Sequence, residues 1–132
     1  MDSKVAREWL DALARTANAK DFAAHMDLIS KQVQVFGVPG FEVIGYDDWA
    51  RQSEHEFSAG ILTRVSYQGF KVQAMTPGRV MFKTLETLET SDGNSQTQGV
   101  EIVIVQESDG VWRVTQERVL TPEEAKFDGL YA

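Results

Sequence analysis

In this 132-residue sequence, His25 and Ser53 are the side chains best placed to move a proton. His25 recurs with Phe22, Met26 and Ile29 at helical spacing, so it sits on an apolar stripe. Partial burial there would tune an imidazole to act as a general base, or as a proton donor to a ligand carbonyl. The other reading of such a histidine is a hydrogen-bonded core residue. Ser53 shares a later helical stripe with Trp49 and Phe57, a polar group among aromatics. Glu54-His55-Glu56 invites a metal reading, but consecutive helical residues point in different directions and do not close on one ion. Asp48 and Gln52 are better spaced relative to His55, and a solvated polar face is the expectation. No metal or cofactor is predicted. Trp9, Phe36, Trp49, Phe57 and Trp112 are candidates to line an apolar cavity, since aromatics give large contact area with few rotamers. Alternatively they fill the core between helices and sheet. Arg64, Arg113 and Arg118 would either place a cation at the cavity mouth, selecting a carboxylate-bearing ligand, or form surface salt bridges.

Composition removes other chemistries. With 13 basic residues against 20 acidic and a net charge of −7, the chain lacks the cationic footprint that a nucleic acid or an anionic membrane surface requires. It has no cysteine, hence no disulfide, thiolate nucleophile or cysteine-held metal. There is no Gly-x-Ser-x-Gly, His-Glu-x-x-His, phosphate-loop or dinucleotide pattern. The longest apolar runs, such as Ile102-Val103-Ile104-Val105, are far shorter than the ~20 residues that span a bilayer. The first residues, Met1-Asp2-Ser3-Lys4, do not read as an export signal, so a cytoplasmic protein is expected. At this length and with 42% apolar residues, one domain over residues 1–132 is expected.

The elements that must hold those side chains follow from periodicity. Residues 4–18 place Val5, Trp9, Leu13 and Ala17 at helical spacing behind Asp2 or Ser3 as N-cap, and Asp21 caps a second, shorter helix. Residues 33–38 and 41–44 around Pro39-Gly40 predict a small two-stranded hairpin. Asp47 and Asp48 suit the positive end of a third helix that reaches about Ser58. From Leu62 the period becomes two. Strands are predicted at 62–74, with a bulge at Gly69, then at 79–90, 96–107 and 111–120, as an antiparallel meander. Thr121-Pro122-Glu123-Glu124 is a capping box, predicting a last helical turn that returns Phe127, Leu130 and Tyr131 to the body. In the third long strand Val100, Ile102 and Ile104 share one face, and Glu101, Val103, Val105 and Glu107 the other. That second face is partly apolar and asks for cover, so a homodimer through the outer sheet face is expected.

Helix, helix, short hairpin, helix and long curved sheet is an order that resembles the nuclear transport factor 2-like superfamily over nearly the whole chain. Ala19-Lys20-Asp21-Phe22, Gly45 before a helix start, and Asp109-Gly110-Val111-Trp112-Arg113-Val114 look like signatures of its SnoaL-like and ketosteroid-isomerase-like members. The resemblance implies an α+β, cone-shaped fold with three N-terminal helices packed on a curved antiparallel sheet, a cavity between the layers, and pairing as dimers. Counting from Asp21, the isomerase's catalytic Tyr falls at Leu13 and its general-base Asp at Gly37. The second oxyanion donor falls near Ile102, beside Glu101 and Val103. Leu13 and Ile102 thereby join the expected ligand pocket, while steroid-isomerase chemistry is not predicted.

The expectation is therefore a small, largely apolar organic ligand in that cavity. Enzymatic work there would be isomerisation, dehydration or cyclisation of a small carbonyl compound through His25 or Ser53. The alternative is a non-catalytic dimerisation or interaction domain using the outer sheet face and the tail.

Overall fold

The computed structural model describes residues 3–130. Helix α1 (Lys4–Asn18) buries Ala6, Trp9, Leu10 and Leu13 on one side, as its 3.6-residue spacing requires. Ser3 holds its N-cap position without a side-chain hydrogen bond; Asp2 lies outside the described residues. Asp21 caps α2 (Phe22–Met26) by accepting a hydrogen bond from the Ala24 N–H. Helix α3 (Tyr46–Ser58) starts after Gly45 with Asp47 and Asp48 in its first turn. Among the described residues no helix is long and apolar enough to cross a membrane.

Five strands form one sheet in the order β1-β5-β4-β3-β2. They are β1 (Ile29–Phe36), β2 (Leu62–Thr76), β3 (Arg79–Thr90), β4 (Ser95–Gln106) and β5 (Trp112–Val119). The last four make the predicted antiparallel meander. The first departs from expectation. Ile29, expected to finish the stripe of the second helix, begins β1, which runs parallel to β5. The expected return strand is reduced to one antiparallel bridge between Val35 and Ile44. The cause is where burial is available: Val33 and Val35 reach the core, while Phe41 and Val43 stay 61% and 43% exposed. Pairing with β5 also satisfies an edge that would otherwise stand bare.

The helices cover the sheet's inner face. Trp9 meets Phe82 edge-on at 6.2 Å between ring centres, above Val100, Ile102, Ile104 and Val114, all fully buried. The bulge predicted at Gly69 is present between Gln68 and Lys71. Gly69 sits at φ +72, and a Cβ there would lie 2.8 Å from the Leu130 carbonyl oxygen, so only glycine lets the tail pass.

That tail crosses the outer face. Helix α4 (Pro122–Phe127) carries the predicted capping box between Thr121 and Glu124. Leu120, Ala125 and Leu130 cluster on Leu85, seated where Gly99 has no side chain. Leu130 therefore returns to the body as predicted, whereas Phe127 is 92% exposed, and Tyr131 lies outside the described residues. Beside this cluster Lys83, Glu101 and Arg118 face one another across three strands. Asp128 of the tail reaches Lys83 at 2.6 Å, and Glu124 reaches Arg118 at 2.9 Å. Part of the outer face is thus covered by the chain's own end.

Candidate functional site

Helix α3 leans over the open end of the sheet and turns Trp49, Ser53, Glu56 and Phe57 towards it. Two neighbouring spaces lie beneath. An outer cavity of about 710 Å³ opens between α3, the 38–44 segment and the sheet. An inner chamber of about 170 Å³ lies among the first three helices and the strands. Trp49, Ser53, Glu56, Leu88 and Glu117 border both.

The floor is polar. Tyr67, Glu86, Gln98 and Glu117 come from β2, β3, β4 and β5, which are neighbours in the sheet. Register places Tyr67 opposite Glu86, and Glu86 opposite Gln98. The Tyr67 hydroxyl donates to Glu86 Oε2 at 2.8 Å, and Gln98 Nε2 donates to Glu86 Oε1 at 3.3 Å. Burial pushes the Glu86 pKa up against these two donors, and the charge of Glu56 adds to the rise. Glu117 has no such donor among the described residues; burial, then the charge of Glu86, lifts it to about 8. Two carboxyls this close do not both ionise readily. The two donors favour the charged form of Glu86 against that rise, whereas Glu117, with none, keeps a proton at neutral pH. Burial and both glutamates hold Tyr67 well above the usual phenol range, so it remains a donor.

His25 closes the chamber from α2. The Thr16 hydroxyl donates to the backbone carbonyls of Ala12 and Leu13, at 2.9 and 3.1 Å, and its oxygen lies 3.0 Å from His25 Nδ1. The tautomer that satisfies all three contacts together carries its proton on Nδ1 and leaves Nε2 bare. Burial lowers the pKa to about 4, opposed by a hydrogen bond to the Leu13 backbone, so the ring is neutral at physiological pH. Phe57 packs on it edge-on at 5.4 Å.

A family model described as the SnoaL-like domain matches residues 6–119. The chain belongs to the SnoaL-like family. No curated protein matches its sequence. Solved structures with the same fold include an NTF-2 like protein of unknown function from Shewanella oneidensis MR-1, with TM-score 0.75 and 12% identity over 90% of this chain and 98% of that one. A candidate scytalone dehydratase from Novosphingobium aromaticivorans DSM 12444 superposes with TM-score 0.71 and 10% identity, over 88% and 80%. A candidate ketosteroid isomerase from Shewanella frigidimarina NCIMB 400 gives 0.67 and 13%, over 88% and 94%. At such identities the likeness is one of fold.

Within this SnoaL-like frame, the structure brings Leu13, His25, Trp49, Ser53 and Phe57 to the inner chamber. Four expected pocket residues lie elsewhere. Trp9 is 4% exposed, donating through Nε1 to the Leu28 carbonyl, and Ile102 is fully buried; both belong to the core. Phe36 alternates away from buried Val35 and stands opposite Arg118. Trp112, at the start of β5, packs against the core's edge. The arginines do not line either space. Arg64 lies near Glu89, Arg113 binds Asp27, Glu107 and Asp109, and Arg118 binds Glu124 and Glu101. The walls of both spaces are mostly apolar, and the floor adds acidic groups that the sequence reading did not place there.

Sequence reasoning missed Tyr67, Glu86, Gln98 and Glu117. Glu86 was within reach, because alternation from Phe82 through Thr84 carries it inward. Glu117 was not. On β5, Val114 pairs with Ile104 and Gln116 with Val103, so Thr115 is an extra residue. Without that bulge Glu117 would face outward.

Proposed function

We propose that this SnoaL-like protein is a proton-transfer enzyme acting on a small carbonyl compound by isomerisation, dehydration or cyclisation, with Glu117 giving and taking the proton. One observation carries the reading: on the cavity floor a carboxyl without a hydrogen-bonding partner sits with a second carboxyl that accepts two hydrogen bonds. A group with pKa near 8 returns protons as readily as it accepts them at neutral pH. The dehydratase and isomerase names of two fold neighbours support this class of chemistry.

In a dehydration, the protonated Glu117 gives its proton to the leaving hydroxyl as the C–O bond breaks. The α-proton passes to the Glu86 carboxylate or to the bare Nε2 of His25. In an isomerisation, the ionised Glu117 takes the α-proton and returns it to a different carbon. Trp49 and Phe57 form the apolar wall that excludes water. Ser53 is a further polar contact for the substrate on the same wall.

The test is proton NMR in D₂O on a panel of small β-hydroxy ketones and cyclic enones. Deuterium uptake at the α-carbon, or loss of water, should fall about 100- to 10,000-fold in Glu117→Gln. Equal rates in parent and variant would remove Glu117 from the mechanism.

Self-association through the outer sheet face is a separate proposal, supported by the 92% exposed Phe127 on the tail helix and by Val105, partly exposed elsewhere on that face. Sedimentation of parent and Phe127→Asp tests it: an unchanged mass in the variant excludes Phe127 from any contact between copies.

A further inference from the structure

The inner chamber gathers acidic side chains without a basic one. Glu56, Glu86 and Glu117 border it, and no lysine or arginine does. Of the chain's thirteen basic side chains, only Arg51 reaches even the outer cavity, and it is bound to Asp48. By contrast Glu101, half-buried on the opposite face of the same sheet, has two cations within 4.0 Å. Trp49, Phe57 and Tyr67 also border the chamber, and aromatic rings attract cations through the negative potential of their faces. At about 170 Å³ the space takes a small headgroup such as a trimethylammonium, with the rest of a ligand left to the outer cavity.

We infer that the inner chamber receives a cationic nitrogen, so that the substrate is a small carbonyl compound bearing an amine or a quaternary ammonium group. This rests on the cavity being the working site. The missing counter-charge of the floor arrives with the ligand, and a carboxylate-bearing ligand is excluded for the same reason.

A proton signature follows. A cation in the chamber favours ionised Glu117, so binding expels a proton. The titratable groups around Glu117 are Glu86 on β3, Tyr67 on β2, Glu56 on α3 and His25 on α2. Asp48, Arg51 and His55 of α3 stand in the outer cavity. His25 is already neutral and Tyr67 stays protonated, which leaves the glutamates as the source.

Choline is a suitable probe because its charge is fixed and every released proton must come from the protein. Its uncharged isostere, 3,3-dimethylbutan-1-ol, and the anionic 3,3-dimethylbutanoate complete the set. Titration calorimetry near neutral pH, in two buffers of different ionisation enthalpy, reads affinity and proton release together. Choline should bind about tenfold or more tightly than the alcohol. It should release a proton, and the carboxylate should not bind. In Glu117→Gln the release should vanish and the preference shrink. Equal affinity for choline and the alcohol, binding of the carboxylate, or no binding of choline overturns the inference. Turnover of the carbonyl panel on the same preparations separates the two readings. Choline selectivity in an inactive protein leaves the ligand class standing and removes the proton-transfer role. Activity on neutral ketones without choline selectivity does the reverse.

Discussion

The two faces of strands β3, β4 and β5 carry the same residue types and treat them in opposite ways. On the outer face Lys83, Glu101 and Arg118 stand in register across the three strands, and the tail adds Glu124 and Asp128. Each carboxylate there has a cation. On the inner face Glu86 and Glu117 share a chamber with no cation, and only Glu86 has donors. The difference separates structure from function. Matched charges hold the tail to the sheet, whereas the unmatched pair stores a proton at an unfavourable pKa, a pattern that clusters at functional sites.

Breaking the inner side should give the largest effect. Glu117→Gln is expected to lower turnover on a responsive carbonyl substrate about 100- to 10,000-fold, while Glu101→Gln on the outer face should weaken stability and leave the rate per folded molecule nearly unchanged. A comparable rate loss in both variants would erase the distinction between the faces.

Next in size is the tail. Leu130 is 1% exposed and closes the outer cluster, so Leu130→Ala should cost about 2–4 kcal/mol in urea unfolding. A cost near zero would mean that the tail is not part of the cooperative unit.

Acid and base should distinguish the faces as well. Glu117 titrates at about 8 when folded against its ordinary 4.5. Between those values the unfolded chain has lost a proton that the folded one keeps, so this stability is full below pH 4.5 and is lost as pH rises to about 8. Glu86, also raised by burial, acts in the same sense. Glu124 is the reverse: the Arg118 guanidinium and the Thr121 backbone N–H hold it below the usual range, so its contribution is lost on acidification. Thermal melts should show that Glu117→Gln flattens the alkaline fall by an amount on the order of a few kcal/mol. Glu124→Gln should flatten only the acid side, and the opposite pairing would refute the assignment.

The smallest effect is expected at Phe127. Its exposed ring makes little contribution to the folded chain, so Phe127→Ser should shift stability by no more than about 0.5 kcal/mol. A larger change at low protein concentration would place that ring in a contact within one copy.

Much of the frame was legible before any coordinates. Apolar spacing in residues 4–18 and the acidic start at Asp47-Asp48 set two helices, and the Pro-Gly and Asp-Gly turns marked the strand ends to within about two residues. These are local preferences, expressed within a few residues of the groups that cause them. The stripe Trp49, Ser53, Phe57 was likewise readable, because 3.6 residues per turn carries all three to one side. The pairing of β1 with β5 was not, since it joins segments some eighty residues apart and depends on which edge is left open. Which tryptophan faces the cavity also depends on packing: Trp9 and Trp49 look alike in sequence, yet Phe82 captures the first and the opening leaves room for the second.

The sequence by itself determined the order of elements, the amphipathic faces of the long helices and the absence of thiol chemistry, because these follow from local spacing and residue type. Only the tertiary structure decided that Glu117 points inward, through one extra residue at Thr115, and that it meets Glu86 without a cation nearby. A strand's side chains alternate with period two, so a single bulge reverses every face beyond it, and nothing in the local sequence of β5 announces that reversal.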